Sequence, residues 1–224
     1  MNYQLLSKAI NRIYHAEVLS VIAFVFTFIT ADLTIFSIEY SPVLALLGII
    51  SILVTAILKT IAFFMTFSGV NLAAKQHSAF KKVRAWLCIG IACAVAQTVF
   101  TNVNEAIAAF MSIAEEMCML ISIYMIMAST VRIADEMQDY ALRKEEMNTS
   151  RVVLRMLLLS ILMSTMSTTL EIMEIMNFPA APWIAFGLTV FVAGITFTAL
   201  LKYLKALRQM KLALDKKAAE TREQ

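Results

Sequence analysis

VLALLGIISILVTAILKTIAFFMT, residues 43–66, runs for 24 positions with a single charged residue, Lys59. A helix needs about 20 predominantly apolar residues to cross a hydrocarbon layer of about 30 Å, so the stretch is long enough to span one. Lipid offers no partner to a backbone N–H or C=O, which leaves only a helix or a closed barrel. An apolar run this long and continuous excludes the alternation of barrel strands, each about ten residues long.

Five more stretches of the same kind surround it, near 17–37, 85–103, 106–130, 153–176 and 181–202. The whole chain agrees in composition. Of 224 residues, 60% are hydrophobic and 16% charged, with a mean hydropathy of +0.77. Soluble domains average about 45–50% apolar and about 25% charged residues. The sequence therefore predicts an all-α integral membrane protein with six transmembrane helices, forming one polytopic domain over 1–224. A charged helix should follow over 203–224. The connections are too short for a separate soluble domain, and no nucleic-acid partner is expected.

Basic residues set the threading, because loops rich in Lys and Arg stay on the cytoplasmic side. Lys8 and Arg12 precede the first span, and Lys75, Lys81, Lys82 and Arg84 lie between the second and third. Arg132, Arg143, Lys144, Arg151 and Arg155 bracket the next such connection, and seven more, from Lys202 to Arg222, follow the sixth span. Lys59 can snorkel to the same side. All 19 basic residues thus fall on one face, whereas the opposite connections SIEYS (37–41), TNVNE (101–105) and NFPAAP (177–182) hold none. Both termini are placed inside. The expected location is a membrane crossed several times, the plasma membrane of a bacterium.

Arg12, Arg84 and Arg151 each stand 20 positions before an outer polar residue, Asp32, Asn104 and Glu171, while Lys59, Arg132 and Lys205 recur every 73 residues. Three tandem helical hairpins would produce this pattern. Any six-helix chain obeying the charge rule produces something close to it, and no residue-by-residue identity supports a repeat.

Polar residues within spans usually face the bundle interior. Ser160, Ser164, Ser167, Glu171 and Glu174 follow at steps of four and three, one face of a helix, with positions such as Val153 assigned to lipid. The fourth span carries Glu105, Ala108, Ser112, Glu115, Met119 and Ser122, and the third Gly90, Cys93, Gln97, Thr101 and Asn104. Gly187, Gly194 and Thr198 form a small-residue seam on the sixth span that would let backbones approach.

Acids fill the side that lacks bases: Asp32, Glu39, Glu105, Glu115, Glu116, Glu171 and Glu174. Glu115 lies about ten residues into its span, near the middle of the bilayer. Glu116 is rotated about 100° from it, so only one of the two can point down a narrow seam. Three roles suit them: a protonated acid acting as interhelical glue, a proton or cation site, or the lining of a wet outer vestibule. The candidate substrate- or ion-binding residues are Glu115, Glu116, Glu171, Glu174, Glu105, Ser164, Ser167, Gln97 and Asn104.

Catalytic signatures are missing from the sequence. It has no H-E-x-x-H and no G-x-S-x-G, and five glycines leave no phosphate loop. The paired glutamates of CAAX-type membrane proteases are followed by an arginine four positions on, where this chain has Leu120. Fifteen methionines invite a Cu(I) reading, but no Cys or His pair sits at a supporting spacing, and methionine also fills irregular helix packing. No metal and no cofactor are expected. Cys88, Cys93 and Cys118 all lie within spans, which argues against a disulfide framework, and the sequon at Asn148 falls in an inner loop. The first span exceeds the core of a signal peptide, about 7–15 residues, and no A-x-A site follows it.

Two solvated segments remain. YQLLSKAINRI at the start is amphipathic, either lying on the inner leaflet or extending the first helix, and IADEMQDYALRKEEMNTSR should prolong the fourth helix into solvent. The functional expectation is a transporter or binder of a small cation, proton-coupled solute or cationic molecule through a polar core of helices 3–5. The alternative is a sensor, immunity factor or assembly subunit that binds another membrane protein.

Overall fold

The computed structural model describes the backbone of residues 2–40, 42–101, 103–175 and 181–221, and side chains outside 28–45, 105–106, 108–109, 112, 116, 160–161, 163–183 and 185–186. It is all-helical, with no strand among the described residues. The elements are α1 (Tyr3–Tyr40), α2 (Pro42–Gln76), α3 (Ala79–Phe100), α4 (Glu105–Glu136), α5 (Tyr140–Ile175) and α6 (Ala181–Glu220). Pro42 is the first residue of α2 and Pro182 the second of α6, the first-turn positions where a missing N–H costs nothing. Five helices contain stretches long and apolar enough to cross a membrane: Tyr3–Thr27, Leu46–Gln76, Ala79–Phe100, Ile113–Glu136 and Gly187–Glu220. The expected span over 153–176 falls on α5, largely outside the residues with described side chains.

Several helices are far longer than a bilayer requires. With 38 residues, α1 is about 57 Å long, and α6, with 40, is about 60 Å. Contacts divide the chain into two compact units. One joins residues 1–16, 63–150 and 206–224, and so holds all of α3 and α4 with one end of each other helix. Its core is dry and aliphatic: Leu6, Ile10, Ile13, Phe80, Ile126, Met127, Ile133, Leu207, Met210 and Leu214 are all at most 1% exposed. The amphipathic start therefore continues α1 and packs its apolar side inside, rather than lying flat on a leaflet.

Polar bonds tie this unit together. Ser7 donates to Asp215, Arg12 Nη1 to Ser68 Oγ at 2.9 Å, Arg84 Nη1 to Asn71 Oδ1 at 3.3 Å, and Gln209 Nε2 to Glu145 Oε1 at 2.8 Å. Arg143 pairs with Asp135 at 2.8 Å. At the α2 to α3 turn, His77 Nδ1 accepts from Ala79 N at 3.2 Å, a capping role that Ser78 does not fill. The other ring nitrogen then carries the proton and donates to Glu136 Oε1 at 2.8 Å.

The segment 133–151 departs from its expected course. It prolongs α4 only as far as Glu136, then turns sharply and starts α5 at Tyr140. Gln138 takes a left-handed φ of 59°, Gln138 N donates to Asp135 O at 3.0 Å, and Asp139 N donates to Ala134 O at 3.1 Å. This is the Schellman pattern of a helix end. Asp139 Oδ1 then accepts Leu142 N at 2.9 Å and caps the next helix. Charge alternation alone could not locate that corner, since both sides of it read as helix.

The second unit joins residues 17–62 and 151–205. Its α2 segment is mostly uncovered: Leu46, Leu53 and Ile57 are each 58% exposed. Apolar surface on this scale belongs against lipid or another protein rather than water. Val153, expected on the lipid face, is 2% exposed. The reason is helical phase, because residue 153 lies seven positions before Ser160, two turns along the same face. The seam expected on α6 makes no close approach: a β-carbon at Gly187 or Gly194 meets nothing within 4 Å among the described residues.

Candidate functional site

Helices α3 and α4 pack antiparallel against each other in the first unit, and a seam between them sets the geometry around Glu115. At Gly90 the backbones come close enough that a β-carbon would lie 3.4 Å from Cys118 Cβ. Cys118 is 5% exposed. Ser122, 2% exposed, donates to Cys118 O at 2.8 Å. Glu115 is half-buried, one turn along the same face from Cys118.

The expected polar rows hold in part. Gly90 is buried, and Cys93 and Gln97 are half-buried toward the same end of α3. Thr101 and Asn104 are exposed, however, because α3 ends at Phe100. Asn104 is the N-cap of α4, its side chain accepting from Ile107 N at 3.2 Å, so it has a helix-terminating role. In α4 the buried row passes through Cys118 and Ser122, and Met119 is 39% exposed. Glu105 and Glu116 lie in α4, and Ser164, Ser167, Glu171 and Glu174 in α5, with side chains outside the described residues. Among the described residues, no group of three His, Cys, Asp or Glu side chains could hold a metal ion.

Two acids escaped the sequence reading: Glu17 of α1, 8% exposed, and Glu146 of α5. Glu146 is 1% exposed, although it stands in a segment read as solvated. It lies outside the expected spans, on the α5 side of the corner. Its Oε2 is 2.8 Å from Thr130 Oγ1, while its Oε1 is buried with no hydrogen-bond partner among the described residues. Burial pushes the Glu146 carboxyl up to about 7; a proton donated by Thr130 would work against this, and the adjacent charge of Glu145 adds to it. The signal was present in the pattern. Traced backward at the same three-four spacing, the α5 polar stripe passes through Leu157, Val153, Ser150 and Glu146, which are 6%, 2%, 7% and 1% exposed.

Near this corner, Met137, Gln138, Asp139 and Tyr140 border a cavity of about 300 Å³ with Ala213, Lys216, Lys217 and Glu220 of α6. Lys217 is engaged with Glu220 at 3.4 Å, and Asp139 occupies the α5 N-terminus, so the cavity presents mixed charge. In comparisons with known proteins, no family, no curated protein and no solved structure matches the chain.

Proposed function

We propose that the protein crosses the membrane six times with both termini on the basic inner side, as a multi-pass protein of a bacterial plasma membrane. Its task in this reading is to bind or move a small cation, a proton-coupled solute or a cationic molecule along the polar faces of α3, α4 and α5. The observation that carries it is Glu115, a half-buried carboxyl within an apolar helix, one turn from the close α3 to α4 seam at Cys118. A titratable acid at such a depth is costly to keep and is typical of ion and proton pathways. Support also comes from α5, whose buried face runs through Ser150, Val153 and Leu157 in register with Ser164, Ser167, Glu171 and Glu174. Glu116, Glu105 and Gln97 would border the same path, and the three-hairpin arrangement would set α3 and α4 as its middle repeat.

A second reading is favoured by the surface of the α3 and α4 hairpin. Val95, Val99, Val103, Phe110 and Ile113 are between 58% and 75% exposed, an apolar face suited to another membrane protein as well as to lipid. That reading makes the chain a sensor, immunity factor or assembly subunit.

Flux measurements in liposomes separate the two. Proton and cation movement is recorded across pH for wild type, Glu115→Gln, Glu116→Gln and Glu171→Gln, together with thermal stability. Loss of ion-dependent behaviour in Glu115→Gln at unchanged stability is the expected result. Absence of ion movement in the wild type, across a broad panel of cations, overturns the reading and leaves the membrane-component role in front.

A further inference from the structure

The α4 to α5 corner contains a proton-counting problem. Thr130 Oγ1 lies 2.8 Å from Met127 O and 2.8 Å from Glu146 Oε2, yet a hydroxyl has one proton to give. With a carboxylate at 146, the single hydroxyl proton would have to be shared between two acceptors, each bond weakened. With a carboxylic acid, both close: Oε2–H donates to Thr130 Oγ1, and Thr130 donates to Met127 O.

The orphaned oxygen points the same way. Oε1 of Glu146 is buried with no partner among the described residues. A carbonyl oxygen of a neutral acid tolerates that position far better than half of a carboxylate, whose charge would be buried without compensation. No cation supplies that compensation among the described residues. On α5, Arg143 is committed to Asp135 at 2.8 Å, and Lys144 is exposed. Glu145, the adjacent acid, accepts Gln209 of α6 at 2.8 Å. Arg132 of α4 and Arg208 of α6 are exposed.

We propose that Glu146 is a proton-binding site of the α4 to α5 corner: it is a carboxylic acid in the folded protein, donates its proton to Thr130, and yields it to water only when the corner opens. On release the O–H bond of Oε2 breaks, the electron pair stays on the carboxylate, and the proton leaves as hydronium. The charged carboxylate then cannot remain where the acid sat. The corner is thereby coupled to the proton concentration on its side of the membrane, whatever the role of Glu115.

Raised from 4.5 in the unfolded chain to about 7, this acid makes the folded state hold the extra proton between those values. Its stabilising contribution is complete below 4.5, declines as pH rises through that window, and is gone above about 7. The test uses the full chain in nanodiscs. Infrared difference spectra between wild type and Glu146→Gln at pH 5.5 are expected to show the carbonyl stretch of a protonated acid, fading as pH approaches 8. The melting temperature of the wild type should fall across the same range, relative to Glu146→Gln. A carboxylate band at pH 5.5 overturns the proposal. Thr130→Val gives a second measure that does not need the Gln variant to fold. Its loss lowers the Glu146 titration midpoint if the acid is the donor, as proposed, and raises it if the hydroxyl donates to a carboxylate, which overturns the proposal.

Discussion

Gly69 of α2 lies so close to Ile13 of α1 that a β-carbon at 69 would stand 2.7 Å from Ile13 Cγ1 and 3.0 Å from Ala9 O. Ile13 is fully buried, so it has little freedom to move aside. The glycine is what lets the two helices meet, and Arg12 reaches Ser68 beside it.

Gly69→Ala should therefore destabilise the protein by about 1–3 kcal/mol through overpacking. Thermal unfolding in detergent checks the value. Combined with Ile13→Ala, which removes the nearest clashing atom, the double variant should cost less than the sum of the single ones. Strict additivity would show that the two helices are not in contact there.

At the corner between α4 and α5, two substitutions should act in opposite directions. Gln138 holds a left-handed φ of 59°, so Gln138→Gly should stabilise by about 0.5–1 kcal/mol. Asp139→Ala removes the acceptor of Leu142 N and should cost about 1 kcal/mol. Urea or thermal unfolding of the two variants measures both signs.

The face of α5 can be tested by neighbours in sequence. Leu157 is 6% exposed and Leu158 55%. Leu157→Ala should cost about 2–5 kcal/mol, whereas Leu158→Ala should stay below about 1 kcal/mol. Ser164→Leu and Ser167→Leu, in register with Leu157, should lower the melting temperature more than Leu158→Ala does. Equal tolerance at all four positions would make the stripe accidental.

Reporter fusions test the threading. Those after residues 40, 104 and 179 should read outside, and those after 76, 145 and 215 inside, because the charge rule assigns all 19 basic residues to one side. An inside signal at 104 would remove the α3 to α4 hairpin from the membrane.

Local composition was enough to announce that the chain is helical and has helices long and apolar enough to cross a membrane, because bilayer thickness and the need to satisfy backbone groups act on length and apolarity along a single segment. On α5 the polar stripe falls outside the residues with described side chains, and Val153, assigned to lipid, is buried. The row on α4 was off by one residue, Met119 for Cys118, since neighbouring positions differ by only about 100° and only the partner helix decides which of them is covered.

The sequence by itself determined six helical segments, their apolar stretches and the positions of the basic residues between them, all properties of residues near one another along the chain. Only the tertiary structure decided which polar groups meet. Ser7 finds Asp215 across 208 positions, Thr130 finds Glu146 across a corner that charge patterning did not reveal, and Gly69 finds Ile13. Those pairings depend on helix phase and relative axial shift, quantities that hydropathy does not encode, and they determine whether a carboxyl such as Glu146 meets water or a single hydroxyl.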